Sequence, residues 1–221
     1  MKYVYLALLI IVSTVHLVDS YKDNSKNRAK TKGFLLPLIL LFYLSSVSEY
    51  SWVLIAALIT SWLGDVLLIP KGTKWFVSGG ISFLISHILF IFTYIPNIDF
   101  NAIKWYIVIP VALIYFTVAG IIIKNIIGNT PGMMIAPMFA YLIANSTMNA
   151  FALMQLVSDP CPGSVIAYIG ALLFFVSDCT LFLVRYHKKP DIIFKKHFTV
   201  MLTYITGELL ITQGVIMLSG M

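Results

Sequence analysis

Charged side chains are scarce in this sequence: 15 Lys and Arg and 9 Asp and Glu among 221 residues, or 11% of the chain, where a soluble domain carries about 25%. That shortage excludes a water-soluble monomer, because so few polar groups cannot clothe a globular core. With 60% hydrophobic residues and a mean hydropathy of +0.93, the chain needs lipid as its solvent. Long linkers are missing too, so residues 1–221 read as a single transmembrane helical domain. Only two cysteines occur, Cys161 in a loop and Cys179 inside an apolar run; they form neither a metal-ligand spacing nor a disulfide framework, and no cofactor is implied. The formal charge of +6 would ordinarily suggest nucleic acid. Here the basic residues sit in short loops between apolar runs, where insertion topology accounts for them, and nucleic acid is set aside as a partner.

What the sequence has in abundance is apolar runs of membrane length. A helix needs roughly 17–25 such residues to cross the hydrocarbon with its backbone satisfied internally. Eight segments qualify, near 3–19, 33–48, 52–69, 75–95, 105–123, 133–156, 164–184 and 197–218, so the predicted fold is an all-α polytopic bundle of eight transmembrane helices. Val18-Asp19-Ser20 weakly resembles a leader cleavage site, but the preceding segment carries only Lys2, and the first span is expected to stay. Of the Lys and Arg residues, 13 lie in the odd-numbered loops; only Lys2 and Lys104 lie elsewhere. The excess of positive charge on the inner side then places the odd loops in the cytoplasm and both termini outside. A bacterial inner membrane is the expected location. Breakers such as Asn129-Thr130-Pro131-Gly132 and Asp159-Pro160-Cys161-Pro162-Gly163 fall between runs, while Pro37 and Pro137 fall inside helices and predict kinks. Residues 58–68 faintly echo 172–182, each with a small residue, then Asp, then apolar residues; spans three and seven run the same way, so a four-plus-four parallel repeat is one reading and chance resemblance of apolar helices the other.

A carboxylate at bilayer depth costs about 2.5–3.5 kcal/mol on insertion scales, so each one needs a partner, a wet cavity or a function. Three occur. Asp65, Asp178 and Glu208 lie about 6, 9 and 16 Å from the inner ends of their spans at 1.5 Å per residue, depths that suit one shared cavity opening inward. For Asp65 alone, helix capping or solvation by headgroups is the competing account. Polar side chains fall at matching depths: Ser61 one turn before Asp65, His87 central in span four, Tyr141, Asn145 and Asn149 on one face of span six, and Tyr204, Glu208 and Thr212 on one face of span eight. Ser82, Ser86, Asn149 and Thr212 read as interhelical hydrogen-bonding residues, and His16 as structural. His87 has no second ligand at metal spacing, so no metal is implied.

These residues resemble the YhhN-like lysoplasmalogenase family of eight-span membrane proteins. The resemblance covers nearly the whole chain. It rests on Thr31-Lys32, Gly64-Asp65-Val66-Leu67-Leu68, Phe83-Leu84-Ile85-Ser86-His87, Tyr141 with Met148, Gly170 through Ser177-Asp178, and Tyr204 followed by Gly207-Glu208-Leu209-Leu210-Ile211. Two positions depart from the pattern: Gly33 stands where a proline often follows the lysine, and Glu208 where a glutamine is common. The resemblance implies hydrolysis of the vinyl-ether bond of a lysoplasmalogen, releasing a fatty aldehyde and glycerophosphocholine or glycerophosphoethanolamine. A vinyl ether yields to acid, because protonating carbon away from the oxygen creates an oxocarbenium ion that water captures. Two carboxyl groups of unlike environment suit that task, one as acid and one ionised to stabilise the cation and orient water. Asp65 and Asp178 are the expected catalytic pair, with the assignment of acid open between them. Lys32 is expected at the inner surface, as a point charge for the substrate phosphate or as an ordinary inner-side lysine. Ser61, His87, Tyr141, Asn145, Tyr204 and Glu208 are expected to bind substrate or orient water.

Other functions remain in play at this point. Intramembrane carboxylates with a histidine also build proton-coupled transporters, although no pair of Gly/Pro-broken helices occupies corresponding positions in the two halves. Intramembrane aspartyl proteases pair two aspartates, but residue 62 is Trp, so their Gly-x-Gly-Asp element is missing. A hydrolase of another ether lipid fits the same residues. Expected partners are the lipid bilayer and a lysophospholipid substrate; the residues do not indicate an oligomeric state.

Overall fold

Each run winds into a helix: α1 (Lys2–Tyr21), α2 (Ser25–Leu44), α3 (Trp52–Leu67), α4 (Thr73–Tyr94), α5 (Trp105–Ile126), α6 (Gly132–Ser158), α7 (Pro162–Tyr186) and α8 (Lys196–Ser219). The computed structural model describes residues 1–220, and among them no strand occurs. Local chemistry sets the ends. The Asn24 and Ser51 side chains accept the Asn27 and Leu54 amides to start α2 and α3, and Cys161 with Ser164 forms a reciprocal cap where Pro162 opens α7. Pro37 and Pro137 lie within α2 and α6 as expected, and Pro110 is a third, inside α5.

The expected boundaries hold within a few residues except in α2, which begins at Ser25 instead of near residue 33. Lys26, Arg28, Ala29 and Lys30 are all good helix formers behind the Asn24 cap, so the helix runs two turns beyond its apolar stretch. This moves Lys32 from a loop into a helix. Five helices are long and apolar enough to cross a bilayer: α1, α4 and α5 each with the turn after it, α7 and α8. α2 is charged in its first turns, α3 has only 16 residues, about 24 Å, and polar residues lower the hydropathy of α6. The outer faces carry exposed Ile10, Ile11, Trp52, Ile109, Leu113 and Ile114, an apolar girdle that water would not tolerate but lipid would. This is an integral membrane protein.

Packing brings α3, α4, α6, α7 and α8 around a common interior. α3 and α4 are braced by hydroxyls: Ser82 donates to the Thr60 carbonyl at 2.7 Å, and Ser86 lies 2.6 Å from Ser61 while donating to the Ala57 carbonyl. α7 and α8 make the most extensive helix pair and meet through glycines, with the Ser177 hydroxyl donating to the Val200 carbonyl at 2.9 Å. The lysine-rich ends of α1, α2, α3, α7 and α8 gather at one end of the bundle.

Candidate active site

Asp65 is 2% exposed on α3, and both carboxylate oxygens are engaged. Lys32 of α2 places Nζ 3.2 Å from Oδ1, and the Tyr204 hydroxyl of α8 donates to Oδ2 at 2.9 Å. Helix capping and headgroup solvation do not describe this residue, which is inside the protein and holds three helices together. Lys32 differs from expectation as well. Its side chain is only 16% exposed, and its ammonium is committed to Asp65, because the early start of α2 turns the residue inward. The ion pair is half of a buried charge balance. Lys32→Met is therefore expected to cost about 3–5 kcal/mol of stability by stranding the carboxylate, and Lys32→Met with Asp65→Asn to recover most of it. Thermal unfolding in detergent checks both; equal melting of the single and double variants would refute the coupling.

Asp178, on α7, is buried at 4% exposure in a different company. Tyr141 and Asn145, one turn apart on α6, donate to its Oδ2 at 2.9 and 2.8 Å, and His87 of α4 brings Nε2 to 3.1 Å from the same oxygen. The other imidazole nitrogen, Nδ1, lies 2.6 Å from the Phe83 carbonyl. A carbonyl only accepts, so Nδ1 carries the hydrogen, and a neutral imidazole would then aim a lone pair at the carboxylate. Nε2 thus faces Oδ2 at 3.1 Å without a hydrogen bond to it. Aromatic faces fix the ring: Tyr141 edge-on at 5.1 Å and Phe174 tilted at 4.9 Å.

The two carboxyls lie within electrostatic range of one another, separated by a wall of Phe83, Phe174 and Tyr204 whose ring centroids are 5.4–6.3 Å apart. Glu208 also joins this interior, fully buried on α8 and within range of both aspartates. It differs from them in having no cation, and among the described residues neither of its oxygens has a hydrogen-bond partner. Ser61 lies beside it but engages Ser86. Asn149 bonds back to Asn145 on its own helix at 3.0 and 3.1 Å, so it supports the Asp178 cluster instead of bridging helices. Ser82 and Ser86 bridge helices as expected; the Thr212 hydroxyl has no partner among the described residues. His16 bonds Thr31 through Nδ1 at 2.7 Å, the structural role its sequence position suggested.

Two recesses share Leu68 as a wall residue. One is an apolar groove between α4, α6 and α7, lined by Leu68, Phe83, Leu84, Met138, Tyr141 and Phe182. The other, at the lysine-rich end, is lined by His16, Arg28, Lys32, Lys71 and His197, with Leu68 again on its wall. Leu68 divides the two, one turn after Asp65. The groove reaches Tyr141, which holds Asp178, and the cationic pocket reaches Lys32, which holds Asp65. Arg28 and Lys71 carry no sequence motif; the one available signal was the four-residue spacing from Arg28 to Lys32, visible only once α2 is known to begin at Ser25.

Fold and site together define a helical membrane protein with a buried carboxyl centre between a greasy groove and a cationic mouth. Residues 27–215 match the YhhN family, and the chain belongs to that family. Neither the curated proteins nor the solved structures contain a match to it.

Proposed function

We propose that this chain is an eight-span membrane hydrolase that cleaves the vinyl-ether bond of a lysoplasmalogen, giving a fatty aldehyde and the glycerophospho-headgroup. The carrying observation is that carboxyls from distant segments, Asp65 and Asp178, are buried within electrostatic range of one another with different partner sets, Asp65 held by Lys32 on the wall of the cationic pocket and Asp178 by Tyr141 on the wall of the apolar groove. Membership of a family known for lysoplasmalogenase activity supports the same reading. The single alkenyl chain would enter sideways from the bilayer and lie in the groove, with its ether linkage beside Leu68.

The partner sets divide the work. The His87–Asp178 pair holds one proton and is the acid: it delivers that proton to the vinyl carbon away from oxygen, and the electron pair of the double bond forms the new C–H bond. Positive charge then spreads over the adjacent carbon and the ether oxygen. Asp65, paired with the Lys32 ammonium and accepting from the Tyr204 hydroxyl, faces that cation as its counter-charge. Water adds to the cationic carbon and gives its proton back to the emptied pair, leaving a hemiacetal. In the collapse of the hemiacetal its hydroxyl loses a proton as the C=O bond forms, the C–O bond to glycerol breaks, and the re-protonated pair supplies a proton to the leaving glycerol oxygen, releasing aldehyde and alcohol while the hydroxyl proton restores the pair.

The finer architecture belongs to the same proposal. α3 takes partners for Asp65 from α2 and α8, and α7 takes partners for Asp178 from α6 and α4. Exchanging the two halves, so that α2 and α3 become α6 and α7 and α8 becomes α4, converts the first set into the second, and α8 packs on α2 as α4 packs on α6. This correspondence favours a four-plus-four parallel repeat with one aspartate in each half. In that arrangement all eight helices span, the lysine-rich end faces the cytoplasm of a bacterial inner membrane, and both termini lie outside.

Glu208 favours one alternative, a proton-coupled carrier, since an unpaired carboxyl deep in a bundle is a common proton site. Purified protein in detergent should release aldehyde from alkenyl lysophospholipid and nothing from alkyl or acyl counterparts. Proton-coupled solute uptake into proteoliposomes without aldehyde release would overturn the hydrolase in favour of the carrier. Cleavage of the alkyl ether would make it a hydrolase of another ether lipid.

A further inference from the structure

The pocket at the lysine-rich end has an unusual charge make-up. Five nitrogen-bearing side chains line it, His16, Arg28, Lys32, Lys71 and His197, and no carboxylate and no Phe, Tyr or Trp ring is among its lining residues. Two of the cations face inward, Arg28 and Lys32, with side chains only 15% and 16% exposed. His16 is 1% exposed, and its Nε2 has no hydrogen-bond partner among the described residues. Lys32 is spent on Asp65, and Arg28 meets Asp23 at 3.1 Å, but Asp23 lies on the rim with 79% side-chain exposure. Lys71 forms no ion pair among the described residues.

Such a lining suits a phosphate. Guanidinium and ammonium donors converge on its oxygens, and the low exposure of Arg28 and Lys32 strengthens the attraction relative to a surface cluster. The same lining offers nothing to a cationic headgroup. A quaternary ammonium is held by aromatic faces or carboxylates, and a primary ammonium by carboxylates, so choline or ethanolamine would bring a positive charge beside the three cations Arg28, Lys32 and Lys71 with no carboxylate in the lining to receive it.

We infer that this pocket is a headgroup site for an anionic lysolipid, one ending in a phosphate monoester or a phosphoglycerol, and that it discriminates against zwitterionic choline and ethanolamine lipids. The inference rests on the proposed hydrolase reading for the position of the lipid chain, but not for the binding itself. Lys71 and Arg28 are the selecting residues, and Lys32 is left to Asp65.

The test follows binding and not turnover, so it reads out even if no aldehyde is ever released. Alkyl-ether lysophosphatidic acid and the alkyl-ether lysophosphocholine of equal chain length are titrated into the full chain in detergent, with inorganic phosphate as a third arm, and binding is followed by native mass spectrometry. The anionic lipid is expected to bind about tenfold tighter than the choline lipid, with the gap closing as salt rises. Lys71→Gln and Arg28→Gln should each shrink the gap, and Lys71→Arg should keep it, with choline-lipid binding changed less than about twofold throughout. Lys71 is exposed in the loop between α3 and α4, so its replacement leaves the packed interior intact. Equal binding of the two lipids, or a preference that survives both glutamine variants, overturns the inference. Inorganic phosphate binding as tightly as the lipid, with the same dependence on Lys71, overturns the lipid source.

Discussion

Asp178→Asn is expected to lower aldehyde release by about 10²–10⁴-fold, a barrier increase of about 3–5 kcal/mol, in protein that still folds. The reason lies in the crowding of one oxygen. Oδ2 accepts from Tyr141 and Asn145 and faces His87 Nε2. An amide oxygen in its place keeps the first two bonds, so the helices stay together, but it carries no charge to hold a proton on the imidazole. The pair loses its acid while the packing around Phe174 persists. Asp65→Asn is expected to lose activity on the same scale for the opposite reason: the cation formed in the reaction has no anion facing it, and Lys32 is left without its partner. The two variants therefore differ in stability. Asp178→Asn should melt close to the parent, and Asp65→Asn lower, since an unpaired Lys32 adds a like charge to the cluster with Arg28. Aldehyde assay and thermal unfolding on one preparation separate these effects. Undiminished activity in either variant removes that carboxyl from the chemistry.

The ingredients of this site are legible in the sequence to the extent that lipid penalises them. Asp65, Asp178 and Glu208 stand out because a bilayer tolerates few acids, and the four-residue rhythm of Tyr141 and Asn145 places both on the face that meets Asp178. The helices are legible for the same reason, since apolar runs of membrane length have few alternatives to winding. What escapes the sequence is partnership. Lys32 reads as a surface charge because a hydropathy criterion starts span two at the first apolar residue, whereas the helix starts at its cap, Asn24, and carries Lys32 inward to Asp65. Ser61 reads as a companion of Asp65 one turn away, yet its hydroxyl lies against Ser86 of the next helix. Glu208 reads as a third member of the carboxyl set, but it lacks the donors that surround the other two. Spacing along one helix says which face a residue occupies and nothing about what the facing helix brings.

The helix pair that carries these groups sets the second large effect. α7 and α8 approach until their backbones touch: a Cβ on Gly170 would sit 2.5 Å from the Ile211 nitrogen and 2.7 Å from the Gly207 carbonyl oxygen, and one on Gly207 would sit 2.9 Å from the Gly170 carbonyl oxygen. Gly163 and Gly214 repeat the contact further along, with the Gly214 Cβ position 2.6 Å from the Ala167 nitrogen. In lipid, where no hydrophobic effect pulls helices together, such close packing is a principal source of association. Backbone atoms cannot step aside as a flexible side chain can, so even one methyl group must drive the helices apart. Gly170→Ala is expected to cost about 1–3 kcal/mol, despite the roughly 1 kcal/mol that alanine gains over glycine within a helix. Gly120→Ala is the control, since a Cβ there meets nothing within 4 Å, and it should be neutral or stabilising. Gly207→Val should be worse than Gly170→Ala, because Gly207 lies between Tyr204 and Glu208 on α8; spreading the helices there pulls the Tyr204 hydroxyl from Asp65 and opens its contact with Phe174. Thermal unfolding in detergent should rank the variants Gly120→Ala, Gly170→Ala, Gly207→Val in falling stability, with aldehyde release falling in the same order. A Gly170→Ala protein as stable and active as Gly120→Ala would show that α7 and α8 do not depend on this contact to hold Asp65 and Asp178 in place.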